Sequence, residues 1–277
     1  MIKHERKNIE KVIRLSVAFI STLHLSMSTA LCGHFELDSI DKETHKIRYN
    51  SLPAVEESDA LLKGSSQFNS FLNEAEEIVT RYELEPAVGL RLIHRHFTLD
   101  EGQLMAEEYD SIDNVPSLVT YAHKFEEAEA KGAIPASWMF SGSSQDEILL
   151  FEASNDPAVK TGSLKLQNSP EFFDEMGKIL TENNLHHLLS VALLKRDSLV
   201  AEESHIYMEV NSRHEQKSVV QIWDGTSDSS NTISTSWAFK GPRQQKCWPI
   251  MKCIWVPDYP KGAHRYLLVD HTWKQYK

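Results

Sequence analysis

Thirteen histidines and three cysteines are scattered along 277 residues, and a few stand at spacings that could support chemistry. His94 and His96 flank Arg95 at the end of an apolar run, Leu92-Ile-His-Arg-His-Phe97. Residues two apart lie about 200° apart around a helix. The two imidazoles therefore share a face only on extended chain, where they could bind a metal or shuttle protons. The plainer reading is a helix end, with His and Lys side chains helping to satisfy terminal carbonyls and the dipole. His205 and Glu209 stand four apart, a spacing that puts a base and a carboxylate on one side of either a helix or a strand. A half-buried histidine bonded to its neighbouring carboxylate explains them equally. Cys247, Cys253, His264 and His271 offer the ligand types of a zinc site. Their spacing matches no strong zinc pattern, and a Cys247–Cys253 disulfide or packed thiols are the alternatives. There is no Gly-rich phosphate loop and no Gly-x-Ser-x-Gly elbow, so no organic cofactor is indicated.

The elements that must carry these residues come in two similar sets. Sliding Phe71–Tyr109 forward by 101 positions superposes nine identities in 39 residues, where composition alone gives roughly two. Phe71 meets Phe172, Ile78 meets Ile179, Leu92 meets Leu193, Arg95 meets Arg196 and Glu108 meets Glu209. Farther on, with a two-residue shift, Ile134-Pro-Ala-Ser-Trp-Met-Phe140 matches Ile233-Ser-Thr-Ser-Trp-Ala-Phe239. The period is too long for a solenoid and suits a duplicated subdomain. Each copy predicts a helix (Phe71, Ala75, Ile78 and Val79; Phe172, Met176, Ile179 and Leu180) and a second helix, from Pro86 to about His94 and from Leu185 to Lys195. Strands follow at 103–109, 117–121, 136–140 and 148–151, and again at 205–210, 218–223, 233–239 and 251–256. The fold class is α+β, a tandem duplication packed about a pseudo-twofold axis. Residues 1–33 read as a leader, 34–69 as a linker or arm, 70–155 as the first repeat and 170–277 as the second with a C-terminal extension. The turn-rich stretch 153–170 joins them.

The Leu92–Phe97 run, Glu108 downstream and the later Ser-Trp-x-Phe resemble a group of uncharacterised fungal proteins over roughly residues 70–260. The resemblance implies no catalytic residues.

Duplication also sorts the candidates. Arg95 with Arg196 and Glu108 with Glu209 occur in both copies, which predicts a repeated Arg–Glu salt bridge. The alternative is a pair of anion-binding arginines flanking a central groove. Matched Trp138 and Trp237 read as core anchors. His94 and His96 meet Lys195 and Asp197 instead, so Asp197 and the histidines would make one asymmetric site, with Arg95, Arg196 and Glu108 as ligand-binding neighbours.

Composition narrows the partners. The formal charge is −11, with five basic and two acidic residues in 1–33, which leaves −14 for the rest. Such a body repels phosphate backbones and anionic lipid, so nucleic acid is excluded as a general partner. Lys3, Arg6, Lys7, Lys11 and Arg14 before the uncharged stretch 15–31 have the order of a secretory signal; an amphipathic helix is the alternative. The stretch is too short and polar for a stable membrane span. Two function classes follow. The first is a binder or converter of a small molecule in the groove between the repeats. The second is a non-catalytic interaction protein, with secretion favoured slightly over a cytoplasmic location.

Overall fold

The computed structural model describes residues 35–112, 115–142, 148–194, 206–212, 216–223, 232–239, 247–254, 266–269 and 272–275. The leader, like residues 195–205, lies outside them.

Three α-helices come first among the described residues. Helix α1 (Lys42–Asn50) starts where the Asp41 carboxylate accepts the Thr44 N–H at 2.6 Å, satisfying one of the donors a helix start leaves open. Its inner side carries His45 and Tyr49. Helix α2 (Val55–Gly64) buries Val55, Ser58 and Leu62, and α3 (Phe68–Arg81) buries Phe71, Ala75, Ile78 and Val79. Residues 36–69 therefore do not form a featureless linker. Their apolar anchors are too few to give a helical period, and contacts with the sheet hold them in place.

Strand β1 (Val88–Leu92) follows, then β2 (Gln103–Ile112), β3 (Val115–Lys124), α4 (Phe125–Ala130), β4 (Ile134–Phe140) and β5 (Ile148–Ser154). Helix α5 (Pro157–Gln167) occupies most of the expected connection. It opens with Asp156 as cap and proline at the first helical position, where the missing N–H costs nothing. Next come α6 (Glu171–Glu182), β6 (Leu189–Leu193), β7 (Ile206–Ser212), β8 (Lys217–Trp223), β9 (Thr232–Phe239) and β10 (Cys247–Ile254). A separate hairpin pairs β11 (Tyr266–Val269) with β12 (Thr272–Gln275). None of the helices among the described residues is long and apolar enough to cross a membrane.

The fold is α+β. Among the described residues, six α-helices accompany a sheet that curls closed in the order β1-β6-β4-β5-β2-β3-β8-β7-β10-β9, with β9 returning to β1. The expected second helices, 86–94 and 185–195, are instead strands β1 and β6. All five positions of each are buried, and over so short a span the alternation of large residues with Gly89 and Arg91, or with Ser190 and Ala192, does not separate strand from helix. The two lie antiparallel, with Leu90 opposite Val191. Trp138 of β4 stands opposite Val191 of β6, and Trp237 of β9 stands opposite Leu90 of β1. β3 and β8 pair with Thr120 opposite Ser218.

Helices α3 and α6 pack side by side. Phe71, Val79, Phe172, Phe173 and Met176 meet Leu90, Trp138, Val191 and Trp237 in the main core, each large side chain contributing roughly 2 kcal/mol by burial. Both helices end in a left-handed residue, Glu83 (φ 56°) and Asn184 (φ 54°). The opposite face of these strands, which points into the barrel, is where charge accumulates.

Candidate functional site

Arg91 is the one charged residue in β1, on the face turned away from α3 and α6. Its strand neighbours make room for it, since Ser190 of β6 and Ser236 of β9 stand opposite it on either side. The guanidinium pairs with Glu152 through Nη1, and Nη2 lies 3.7 Å from Oε1 of Glu209. Glu152 reaches this position through an irregularity in β5. Glu152 faces Ser137 of β4 while Leu150 faces Trp138 and Ala153 faces Pro135, so the pairing passes over Phe151 on β5 and Ala136 on β4, a double irregularity centred on Glu152. A bulge re-aims the side chains beside it, which places Glu152 inside rather than outside the barrel. Glu209, on β7, accepts a hydrogen bond from the Ser218 hydroxyl at 2.9 Å. Glu107 of β2 adds a third buried carboxylate that acts on Arg91.

The two histidines arrive on extended chain just past β1. Helices α1 and α2, from the stretch expected to be a linker, fasten that segment. The Ser58 hydroxyl donates to the Ile93 carbonyl at 2.7 Å, the Arg95 N–H to the Pro53 carbonyl at 2.8 Å, and Asn50 brackets Leu99 through both its amide atoms. The His96 N–H donates to the Tyr49 hydroxyl at 3.3 Å. So held, the imidazoles of His94 and His96 come to 4.5 Å between ring centres. His94 Nδ1 lies 2.8 Å from the Leu92 carbonyl, which requires that nitrogen to carry the proton and leaves the lone pair on Nε2. His96 lies between the two carboxylates, Nε2 at 3.3 Å from Glu152 and Nδ1 at 3.6 Å from Glu209.

Burial and neighbouring charges set the protonation states. Burial opposes charge on His96, but Glu209 and Glu152 outweigh it and raise its pKa. His94 goes the other way: burial, reinforced by His96, lowers its pKa to about 4, so it is neutral at pH 7. Burial would raise the Glu209 pKa, yet His96 and Arg91 pull it below the usual carboxylate range. The Arg91 guanidinium stays charged, because Glu152 and Glu209 offset its own burial.

No family model, curated protein or solved structure matches this chain. The site must therefore be read from its own chemistry.

Of the residues singled out in sequence, His94, His96 and Glu209 are brought together. Arg95 is elsewhere: its Nη1 donates to the Asn50 carbonyl at 2.6 Å, closing the last turn of α1. Glu108 faces outward and meets Lys131 and His123, each at 2.7 Å. The expected Arg95–Glu108 salt bridge is not formed: Arg95 is taken up by the end of α1 and Glu108 by Lys131 and His123. Arg196, Asp197, His205, His264 and His271 lie outside the described residues. Cys247 and Cys253 occupy one strand, β10, six residues and roughly 20 Å apart. That distance rules out both a disulfide, which needs Cα atoms within about 7 Å, and a shared metal ion.

Arg91, Glu152, Tyr49, Ser218 and Glu107 escaped the sequence reading. The available signal was an arginine within Val88-Gly-Leu-Arg-Leu92 and a glutamate within Leu149-Leu-Phe-Glu-Ala153, two opposite charges in apolar strands.

A cleft of about 300 Å³ opens on the outer side of β5, lined by Asp41, Thr44, His45, Arg48, Trp138 and Leu150 among others. None of the buried charged groups lines it. His45 sits one turn before Tyr49 on α1, so this helix touches both the cleft and the buried site.

Proposed function

We propose that the protein is a barrel built of two similar halves that binds a small ligand at the polar site between them. Duplication is supported by matched features beyond the sequence identities. The left-handed residues Glu83 and Asn184 are 101 positions apart, the spacing of the sequence repeat. Trp138 and Trp237 each face the central strand of the other half. In this reading His94 and His96 come from one half and Glu209 from the other, so the site exists only when the halves are assembled.

One observation carries the ligand-binding reading. His94 Nε2 is fully buried and has no hydrogen-bond partner among the described residues. Leaving a buried polar atom unsatisfied costs about 1–3 kcal/mol. A binding site holds such an atom ready for its ligand, and this one stands in a cluster with His96 and Glu209 rather than alone.

Replacing His94 by Leu tests the reading. A ligand site gives an unchanged or higher thermal midpoint in the ligand-free protein, by up to about 4 °C per kcal/mol recovered. A fall of the size produced by core truncation, more than about 2 kcal/mol, would make His94 part of the scaffold and sink the reading.

A further inference from the structure

We infer that the ligand is a divalent transition-metal ion, held by His94 Nε2, His96 Nδ1 and the Glu209 carboxylate. This rests on the ligand-binding reading above and names the ligand class for the same site. The donor atoms of these three buried residues lie within 4.8 Å of one another. Ligands about 2.1 Å from a common ion sit roughly 3.0–3.4 Å apart, so filling the site needs a contraction of about 1 Å or more. His94 and Glu209 both have an unpartnered atom to contribute, Nε2 and Oε2, among the described residues.

The surroundings have the arrangement a metal site requires. A ligating imidazole donates its second N–H to a carbonyl or carboxylate, which fixes the tautomer and aims the lone pair. The Leu92 carbonyl does this for His94; Glu152, at ion-pair distance (3.3 Å) from Nε2 of His96, is placed to take that role when the site contracts, leaving Nδ1 toward Glu209. The Ser218 hydroxyl orients the Glu209 carboxylate. Charge agrees as well. Three buried carboxylates, Glu107, Glu152 and Glu209, act on one guanidinium, and a divalent ion brings the formal count to neutral. Two imidazoles and one carboxylate suit zinc, iron(II), cobalt or nickel, and they are too few and too nitrogen-rich for calcium or magnesium. Three protein ligands leave at least one position for a small exogenous molecule.

The test uses the full chain, stripped with a chelator and reloaded with Co²⁺ as a spectroscopic probe and Zn²⁺ by competition. Because the site is closed, loading is done both by prolonged dialysis and during refolding. The expected result is one equivalent bound, with visible Co²⁺ ligand-field bands that Zn²⁺ erases. His94→Ala and Glu209→Gln should weaken binding on the order of 100-fold or more, and Glu152→Gln about 10- to 100-fold. Cys247→Ser should leave it unchanged. Failure of folded wild type to bind either ion overturns the inference, as does binding that persists in His94→Ala or is lost in Cys247→Ser. If the metal result is negative but His94→Leu is as stable as wild type or more so, only the metal assignment falls. If His94→Leu is also destabilised, the ligand-binding reading falls with it.

Discussion

Strands β1 and β6 are neighbours of equal length, antiparallel in register and buried at every position. Their outer faces are interchangeable in kind: Val88, Leu90 and Leu92 on one, Leu189, Val191 and Leu193 on the other, all in the same core. Their inner faces differ. β6 presents Ser190 and Ala192, whereas β1 presents Gly89 and Arg91. The small groups of β6 and Ser236 of β9 give the guanidinium its room, and the carboxylates of β5 and β7 give it its charge balance. One backbone geometry thus serves as packing on one strand and as the centre of a polar site on its neighbour. The difference lies in a single inward-facing side chain and the partners converging on it.

Removing that side chain should have the largest effect. Arg91→Met leaves Glu152 and Glu209 buried beside one another without their cation, at an expected loss of about 3–5 kcal/mol in urea unfolding. Ser190→Ala, directly across on β6, should cost at most about 1 kcal/mol. Equal losses would erase the distinction between the strands. Next comes the other inward position of β1. A Cβ on Gly89 would lie 2.3 Å from the Trp237 carbonyl oxygen, so Gly89→Ala must push β9 away, at about 1–3 kcal/mol.

The sequence predicts helices where these two strands stand, and the reason is physical. Each is only five residues long and buried on both sides, too short for its alternation of large apolar residues with small or polar ones to decide between strand and helix. The strands at 103–109 and 117–121 are buried along most of their length too, and their extended β-type runs between turn signals are what the sequence shows. Helices α1 and α2 left little trace, since His45 and Tyr49 are the only buried residues of the first. For the site, His94, His96 and Glu209 were recognisable by type, but nothing in linear order joins Arg91 to Glu152, 61 residues on. That contact depends on barrel closure and on the irregularity centred on Glu152.

Titration sharpens the contrast between the buried cluster and the outer cleft. His45, beside the cleft, has no carboxylate partner among the described residues, and burial lowers its pKa from 6.5 to about 4 while the Leu150 backbone pulls the other way. The unfolded chain therefore binds that proton more tightly than the folded one. The stability from neutral His45 is present at pH 7 and is lost as pH falls from about 6.5 toward 4. It amounts to at most on the order of 3 kcal/mol. His96, with its pKa raised, has the opposite sign: its contribution is full below its unfolded value and is lost as pH rises through its folded one. Urea midpoints for His45→Gln should flatten between pH 6.5 and 4; an unaltered slope would show that His45 is not buried as a neutral ring. The smallest effect belongs to Arg95. Arg95→Ala removes one bond to the end of α1 and should cost about 1 kcal/mol, with Co²⁺ affinity within a few-fold of wild type.

Anomalous diffraction from crystals grown with Zn²⁺, recorded on both sides of the zinc edge, tests the site most directly. The expected map has a single strong peak inside the barrel, about 2 Å from His94 Nε2, His96 Nδ1 and Glu209. A map without that peak, or with density at other residues while this cluster stays closed, would contradict the assignment.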